Sequence, residues 1–239
     1  MLTPYGLEIT ESCLECKMRS ENMFCDLPRA ALQAFESIKY PTAYPKGAVL
    51  FVEGQNPRGI FVLCKGRVKL SQCSSTGKCL IMKFAEPGEI LGLSATISGK
   101  PYEVMAETAE PCQINFVRRD DFLRFLREHS EAGIRVIQQL SEKYISTCRE
   151  IRTLSLSHSA SEKLAKLLLN WGPINNQAAN TEIRILLRLS HEEIGQMIGT
   201  SRETVNRSLA AWQKRKIIQR NGSVLLVRNM AALKAMATS

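Results

Sequence analysis

Residues 190–216 read Ser-His-Glu-Glu-Ile-Gly-Gln-Met-Ile-Gly-Thr-Ser-Arg-Glu-Thr-Val-Asn-Arg-Ser-Leu-Ala-Ala-Trp-Gln-Lys-Arg-Lys. Ser190 followed by Glu193 is a capping-box pattern, so a helix is expected from 190 to 198. Gly199-Thr200 supplies a tight turn, and a second helix should run from 201 to about 216. On that helix Val205, Leu209 and Trp212 recur at helical spacing and mark the buried side, which leaves Arg202, Glu203, Asn206 and Arg207 on its exposed N-terminal part. A second helix so placed presents its first turns to a DNA major groove. Downstream, 217–219 and 223–227 flank Asn221-Gly222, a strong hairpin signal, and give the helix pair a wing. Upstream, 161–171 reads as a helix stopped by Gly172-Pro173, followed by a polar loop at 175–180 and a strand over 183–189.

Charge agrees with a polyanionic partner. The chain of 239 residues carries a net +9, and residues 153–239 hold twelve Lys/Arg against five Glu and no Asp. Neutralising phosphates with such a surface releases counterions, although a merely solvated basic surface would look the same. The length and a 44% hydrophobic content suffice for two compact domains. No run approaches the roughly 18–20 apolar residues of a membrane span, and residues 1–10 lack the zones of a secretory signal, so a cytoplasmic protein without a membrane partner is expected.

The N-terminal half has a different rhythm. Residues 1–27 contain three cysteines and little periodicity, and 27–38 has helical spacing before a break between Pro41 and Pro45. From 47 to 116, short apolar runs at 49–52, 60–63, 68–70 and 80–82 alternate with Gly54, Gly59, Gly66, Gly77, Gly88, Gly92 and Gly99. Such spacing predicts a small antiparallel barrel or roll. After Arg119 the period is helical for some thirty residues, with Ile134, Ile137, Leu140, Tyr144, Ile145, Cys148 and Ile151 on one stripe. That stripe either packs against its own copy in a homodimer or is buried within the monomer.

The chain resembles the CRP/FNR family of bacterial regulators through Leu189-Ser190-His191-Glu192-Glu193-Ile194-Gly195 and Thr200-Ser201-Arg202-Glu203-Thr204-Val205-Asn206-Arg207. Lys46-Gly47, Gly54, Gly66, Pro87-Gly88-Glu89 and Gly92 extend the likeness, standing where that family's roll has its turns. The resemblance implies an α+β fold: an N-terminal cyclic-nucleotide-binding-like β-roll, a long dimerisation helix and a C-terminal winged helix-turn-helix. The parts would be a cysteine-containing segment at 1–27, the roll at 28–120, the dimerisation helix region at 121–157 and the DNA-binding domain at 158–239. It implies a homodimer on double-stranded DNA with an inverted repeat, and RNA polymerase as a partner. Arg202 and Arg207 would bond guanine O6 and N7, and Glu203 would accept from cytosine N4. Because Arg-Glu-x3-Arg matches the CRP branch, TGTGA-like half-sites are expected, with the base met by Asn206 left open. Ser201, Thr204 and Arg220 would contact phosphates, which fixes register without reading sequence.

The resemblance also frames what is sensed. The cyclic-AMP-binding branch uses a Glu after the Gly-Glu turn and an Arg-Ser pair; here Leu93 and Gly99-Lys100-Pro101-Tyr102-Glu103 stand instead. Lys100 lacks the fork that recognises a phosphate, so cyclic AMP is not expected. Eight cysteines in a cytosolic chain point to metal or redox chemistry rather than structural disulfides. FNR-type oxygen sensors have three N-terminal cysteines and a distant fourth, which implies Cys13, Cys16, Cys25 and Cys112 as ligands of a [4Fe-4S] cluster. Zinc suits the same thiols, and buried free cysteines are the remaining alternative. Cys64 reads as a core thiol, and Cys73 and Cys79 flank a turn and could face one another across a hairpin. No acid–base or nucleophile constellation marks an enzyme.

Overall fold

The computed structural model describes residues 5–7, 9, 12–16, 24–157, 159–171, 183–187, 189–222 and 224–237. Gly172-Pro173, the 175–180 loop and Ser223 lie outside them. The chain divides into two compact units, residues 1–145 and 146–239.

In the first unit the order is α1 (Arg29–Ile38), β1 (Lys39–Tyr44), β2 (Val49–Phe51), β3 (Gly59–Lys65), β4 (Val68–Cys73), β5 (Cys79–Ala85), β6 (Ile90–Leu91), α2 (Leu93–Ser98), β7 (Met105–Thr108), β8 (Cys112–Arg118), α3 (Arg119–Glu128) and α4 (Ser130–Leu156), whose last turns belong to the second unit. The strands form two antiparallel four-stranded sheets, ordered β1-β8-β3-β6 and β2-β7-β4-β5. One core contains Phe51, Phe61, Leu63, Val68, Leu70, Tyr102, Cys112 and Ile114. A second packs Phe24, Leu32, Phe35, Ile60, Val62, Val117, Phe122, Phe125 and Val136. The sheet containing β3 and β8 is therefore buried on both faces, because successive side chains of a strand point to opposite sides. That two-sided burial gives β3 five consecutive buried residues instead of an alternating pattern.

Two local readings change. The expected break at Pro41 is strand β1, which Pro41 can join because β1 is an edge strand paired to β8 alone. The helical stretch after Arg119 is two helices, since His129 leaves helical dihedrals at φ −127° and ψ 90°. At the tip of the β4–β5 hairpin Cys73 lies directly opposite Cys79, and the two form a disulfide.

The second unit holds α5 (Ala160–Trp171), β9 (Ile183–Leu186), α6 (His191–Ile198), α7 (Arg202–Lys214), β10 (Ile218–Asn221), β11 (Val224–Val227) and α8 (Met230–Ala237). Leu164, Leu168, Ile194, Val205, Leu209, Trp212, Leu225 and Leu233 share its core. The sheet runs β10-β11-β9, and Asn221 pairs with Val224, which puts Gly222 at φ 60° first in a two-residue loop. The sequence did not announce α8, whose only fully buried residues are Leu233 and Ala237.

Candidate DNA-reading surface and cysteine group

The capping box forms as read: Ser190 Oγ accepts from Glu193 N, and the Glu193 carboxylate accepts from Ser190 N at 2.8 Å. Gly195 sits inside α6 despite its helix penalty because a Cβ there would lie 2.7 Å from the Thr200 carbonyl oxygen. That close approach lets α7 start immediately after the turn. Ser201 caps α7 by accepting from Thr204 N, and Val205, Leu209 and Trp212 are its buried residues. Arg202, Glu203, Asn206 and Arg207 are all exposed, so the four share the uncovered side of the first two turns. Ser201 and Thr204 hydroxyls bond each other at 3.2 Å, and Arg207 donates to Thr204 Oγ1 at 3.4 Å. The Glu203 carboxyl is held below the usual range by its own backbone N–H and by Ser201, which keeps it an acceptor.

His191 has a role that sequence reading missed. Its Nδ1 bonds Asn206 Oδ1, and its Nε2 lies 3.1 Å from an Arg220 guanidinium nitrogen. With the proton on Nδ1, His191 donates to Asn206 and accepts from Arg220, the one tautomer that serves both contacts. Recognition helix and wing are thus tied through one imidazole, and Asn206 keeps its NH2 free to donate. The sequence signal was faint: a ring at the first position of α6, separated from Asn206 by 15 residues.

In the first unit, Cys13 lies among α1, β1 and β8. Its backbone N–H donates to Glu36 Oε1 at 2.9 Å, and the Lys39 ammonium donates to its sulfur at 3.2 Å. Asn115 of β8 is buried; its Nδ2 lies 3.2 Å from Cys64 Sγ and 4.0 Å from Cys13 Sγ. Burial pushes the Cys25 thiol up to about 12, reinforced by Cys64, Cys13 and Cys16. Cys64 also rises to about 12, through burial and then Cys13 and Cys16, and burial raises Cys13 against the pull of Lys39. Three of the four expected ligands therefore neighbour one another, and with them stands Cys64.

Cys112, the fourth cysteine of the expected set, lies apart from that group in this structure. It belongs with Ile114 to the core on one side of β8, whereas Asn115 and Val117 face the other side, that of Phe24 and Cys25. Its thiol donates to the Arg67 and Glu110 carbonyls at 3.3 and 3.2 Å, and burial raises it to about 11. Among the described residues no three His, Cys, Asp or Glu side chains already converge as metal ligands.

Of the positions where the resemblance places cyclic-nucleotide contacts, Leu93 and Tyr102 are buried and Lys100 and Glu103 are exposed. Tyr102 stacks on Phe51 with ring centres 4.0 Å apart while its hydroxyl donates to Gly59 O. On α4, Ile134, Ile137, Tyr144, Ile145, Cys148 and Ile151 are exposed, whereas Leu140 is partly covered by the roll's core. The start of α4 is fixed to the roll: Gln139 accepts from Ile90 N and donates to Gly88 O, and Arg135 holds Asp26 through its carboxylate and backbone carbonyl.

Comparison with known proteins gives independent matches. A profile for a Crp-like helix-turn-helix domain matches residues 162–236, and one for a cyclic nucleotide-binding domain matches 41–129. A CRP-like cAMP-activated global transcriptional regulator of Mycobacterium tuberculosis is 23% identical over 90% of this chain and 96% of its own. The nitrogen fixation regulation protein FixK of Bradyrhizobium diazoefficiens is 24% identical over 98% and 92%. A CooA mutant structure from Carboxydothermus hydrogenoformans shares the fold at a TM-score of 0.74 and 21% identity, over 96% of this chain and 98% of that one.

Proposed function

The chain belongs to the CRP/FNR family of DNA-binding transcriptional regulators, and from that premise we propose that it is a homodimer controlled by an oxygen-labile [4Fe-4S] cluster on its N-terminal cysteines. Its relatives are transcriptional regulators and not enzymes. The target is an inverted repeat with TGTGA-like half-sites, read by Arg202, Glu203 and Arg207 and held by Ser201, Thr204 and Arg220. Asn206 has its oxygen engaged by His191, so it offers N–H to a base acceptor such as guanine O6 or thymine O4 instead of the bidentate pairing with adenine. RNA polymerase is the further partner of such a regulator.

Dimerisation is supported by α4. Residues 134, 137, 141, 144, 148 and 151 repeat at alternating steps of three and four, the spacing of a coiled-coil seam. All but Ser141 are apolar, and they are exposed in the single chain. Apolar surface repeated along a seam is covered most readily by an identical seam.

The observation that carries the signalling reading is the contact between Asp26 and Arg135. Asp26 follows Cys25 directly, and Arg135 lies between Ile134 and the next seam residues of α4. A cluster, when bound, supplies an oxygen-sensitive link among thiolates. Thiols that lose such a link release the segment carrying Phe24, whose ring packs on Phe35 and Phe122, and Asp26, which orients the start of the dimer helix. A helix equilibrium is biased in this way only if the two cysteine states bind one helix arrangement unequally. Anaerobic purification with an absorption spectrum and an iron and sulfide count tests the reading. About four irons per chain, with a visible band that bleaches in air, is expected; colourless iron-free protein rejects the cluster. The Cys73–Cys79 disulfide favours a second reading, a regulator of the same family without a cluster that responds to thiol oxidation, to zinc or to an unknown small ligand in the roll.

A further inference from the structure

Resting on the reading that the N-terminal cysteines bind metal, we infer that Cys64 of β3 is the fourth thiolate beside Cys13, Cys16 and Cys25, and that Cys112 is a packing residue.

The first support is strand parity. Along β3, Ile60 and Val62 point into the core that contains Cys13 and packs Cys25, while Phe61 and Leu63 point into the other core. Cys64 continues the Ile60–Val62 side at the site of a β-bulge, where the register shifts between Leu63 and Lys65. Bulges re-aim a side chain at sheet edges and functional sites. Cys112, the first residue of β8, stands on the opposite face of that strand from Asn115.

A second support, independent of the cysteines, is Asn115. Its side chain is 1% exposed, its Nδ2 lies on the sulfurs of Cys64 and Cys13, and its Oδ1 has no hydrogen-bond partner among the described residues. Either orientation of the amide leaves a polar end buried against sulfur, a placement that suits an N–H donor to thiolate. N–H donors to thiolate are the outer-shell groups that tune cluster and zinc sites. Lys39 adds a cation at Cys13 that offsets charge once thiols surrender their protons to bind a metal. At Cys112 the thiol is itself the donor, to the Arg67 and Glu110 carbonyls, and the Arg67 guanidinium beside it pairs with Glu110. Its sulfur lies 2.6 Å from where a Cβ on Gly66 would stand, and Gly66 has φ 87°, so Cys112 fills a tight turn as a small apolar residue. Four thiolates suit an iron–sulfur cluster or tetrahedral zinc.

The deciding experiment compares the full-length chain with Cys64→Ala, Cys64→Ser and Cys112→Ala, all purified without oxygen, with circular dichroism to verify folding. Wild type and Cys112→Ala should each hold about four irons per chain, and both folded Cys64 variants should lose most of the iron, sulfide and visible absorption. If Cys112→Ala loses the cluster, or if the Cys64 variants keep it, the assignment is overturned while the metal-binding reading stands. If wild type holds no iron, the cluster reading fails, and cobalt(II) titration then decides the site alone. Intense thiolate-to-cobalt absorption present in wild type and Cys112→Ala but lost in the Cys64 variants sustains the inference. Absence of that absorption in wild type, or its survival without Cys64, overturns it.

Discussion

The DNA-reading surface and the cysteine group are built on opposite plans. On α6 and α7 most of the contacts are between residues close in sequence, Ser190 with Glu193, Thr204 with Ser201 and Arg207 with Thr204, and the longest reach is that of His191 to Asn206 and Arg220. At the cysteine group the partners are remote. Cys13 meets Asn115 across 102 residues, Cys64 meets it across 51, and Asp26 meets Arg135 across 109. A site assembled locally can be read from a motif and disrupted piecemeal. A site assembled by the fold is invisible to spacing and depends on the roll.

The contrast can be broken from either side. Trp212→Ala removes the largest side chain from the buried side of α7 and should destabilise the second unit by about 3–5 kcal/mol, read by thermal unfolding. Iron content should not change; loss of iron together with the DNA-binding unit would mean the two plans are not separate. Gly195→Ala is a gentler intrusion. Although alanine favours helix, its Cβ would press on the Thr200 carbonyl, and a cost of roughly 1–3 kcal/mol is expected. A stabilised variant would show that the turn has room and that the tight approach is not what seats α7.

Arg207→Ala should weaken binding by about 1–3 kcal/mol at one base pair and relax discrimination there, measured on a set of half-site substitutions. Equal weakening on every sequence would make it a phosphate contact. Asp26→Asn should have the smallest effect on stability, within about 1 kcal/mol, because the ion pair with Arg135 is partly exposed. Its effect belongs to signalling: the affinity difference between anaerobic and air-treated protein should narrow. An unchanged difference would remove this contact from the route between cysteines and helix.

Legibility in the sequence follows the same division. The helix pair, the wing and most roll strands were readable because caps, turns and periodicity act within a few residues. Strand β1 was hidden by Pro41, which only an edge position tolerates, and α8 by burying so few residues. The resemblance implies Cys112 as a ligand, and only the folded roll shows that it lies on the other face of β8 from Asn115. The pattern Ile60, Val62, Cys64 was present in the sequence, but which face the N-terminal cysteines would meet was a property of the packed roll. His191 was overlooked for the same reason on a smaller scale, as it acts by joining two elements.

The central claim, that the state of the cysteine group controls DNA reading, is tested most directly by one titration. A labelled duplex carrying a TGTGA inverted repeat is titrated with anaerobic protein and again after exposure to air, with fluorescence anisotropy as the readout. Tight, sequence-selective binding that is lost in air is predicted, with Arg207→Ala selectivity altered only in the anaerobic series. Equal affinity before and after air, with the cluster present and then gone, would contradict it.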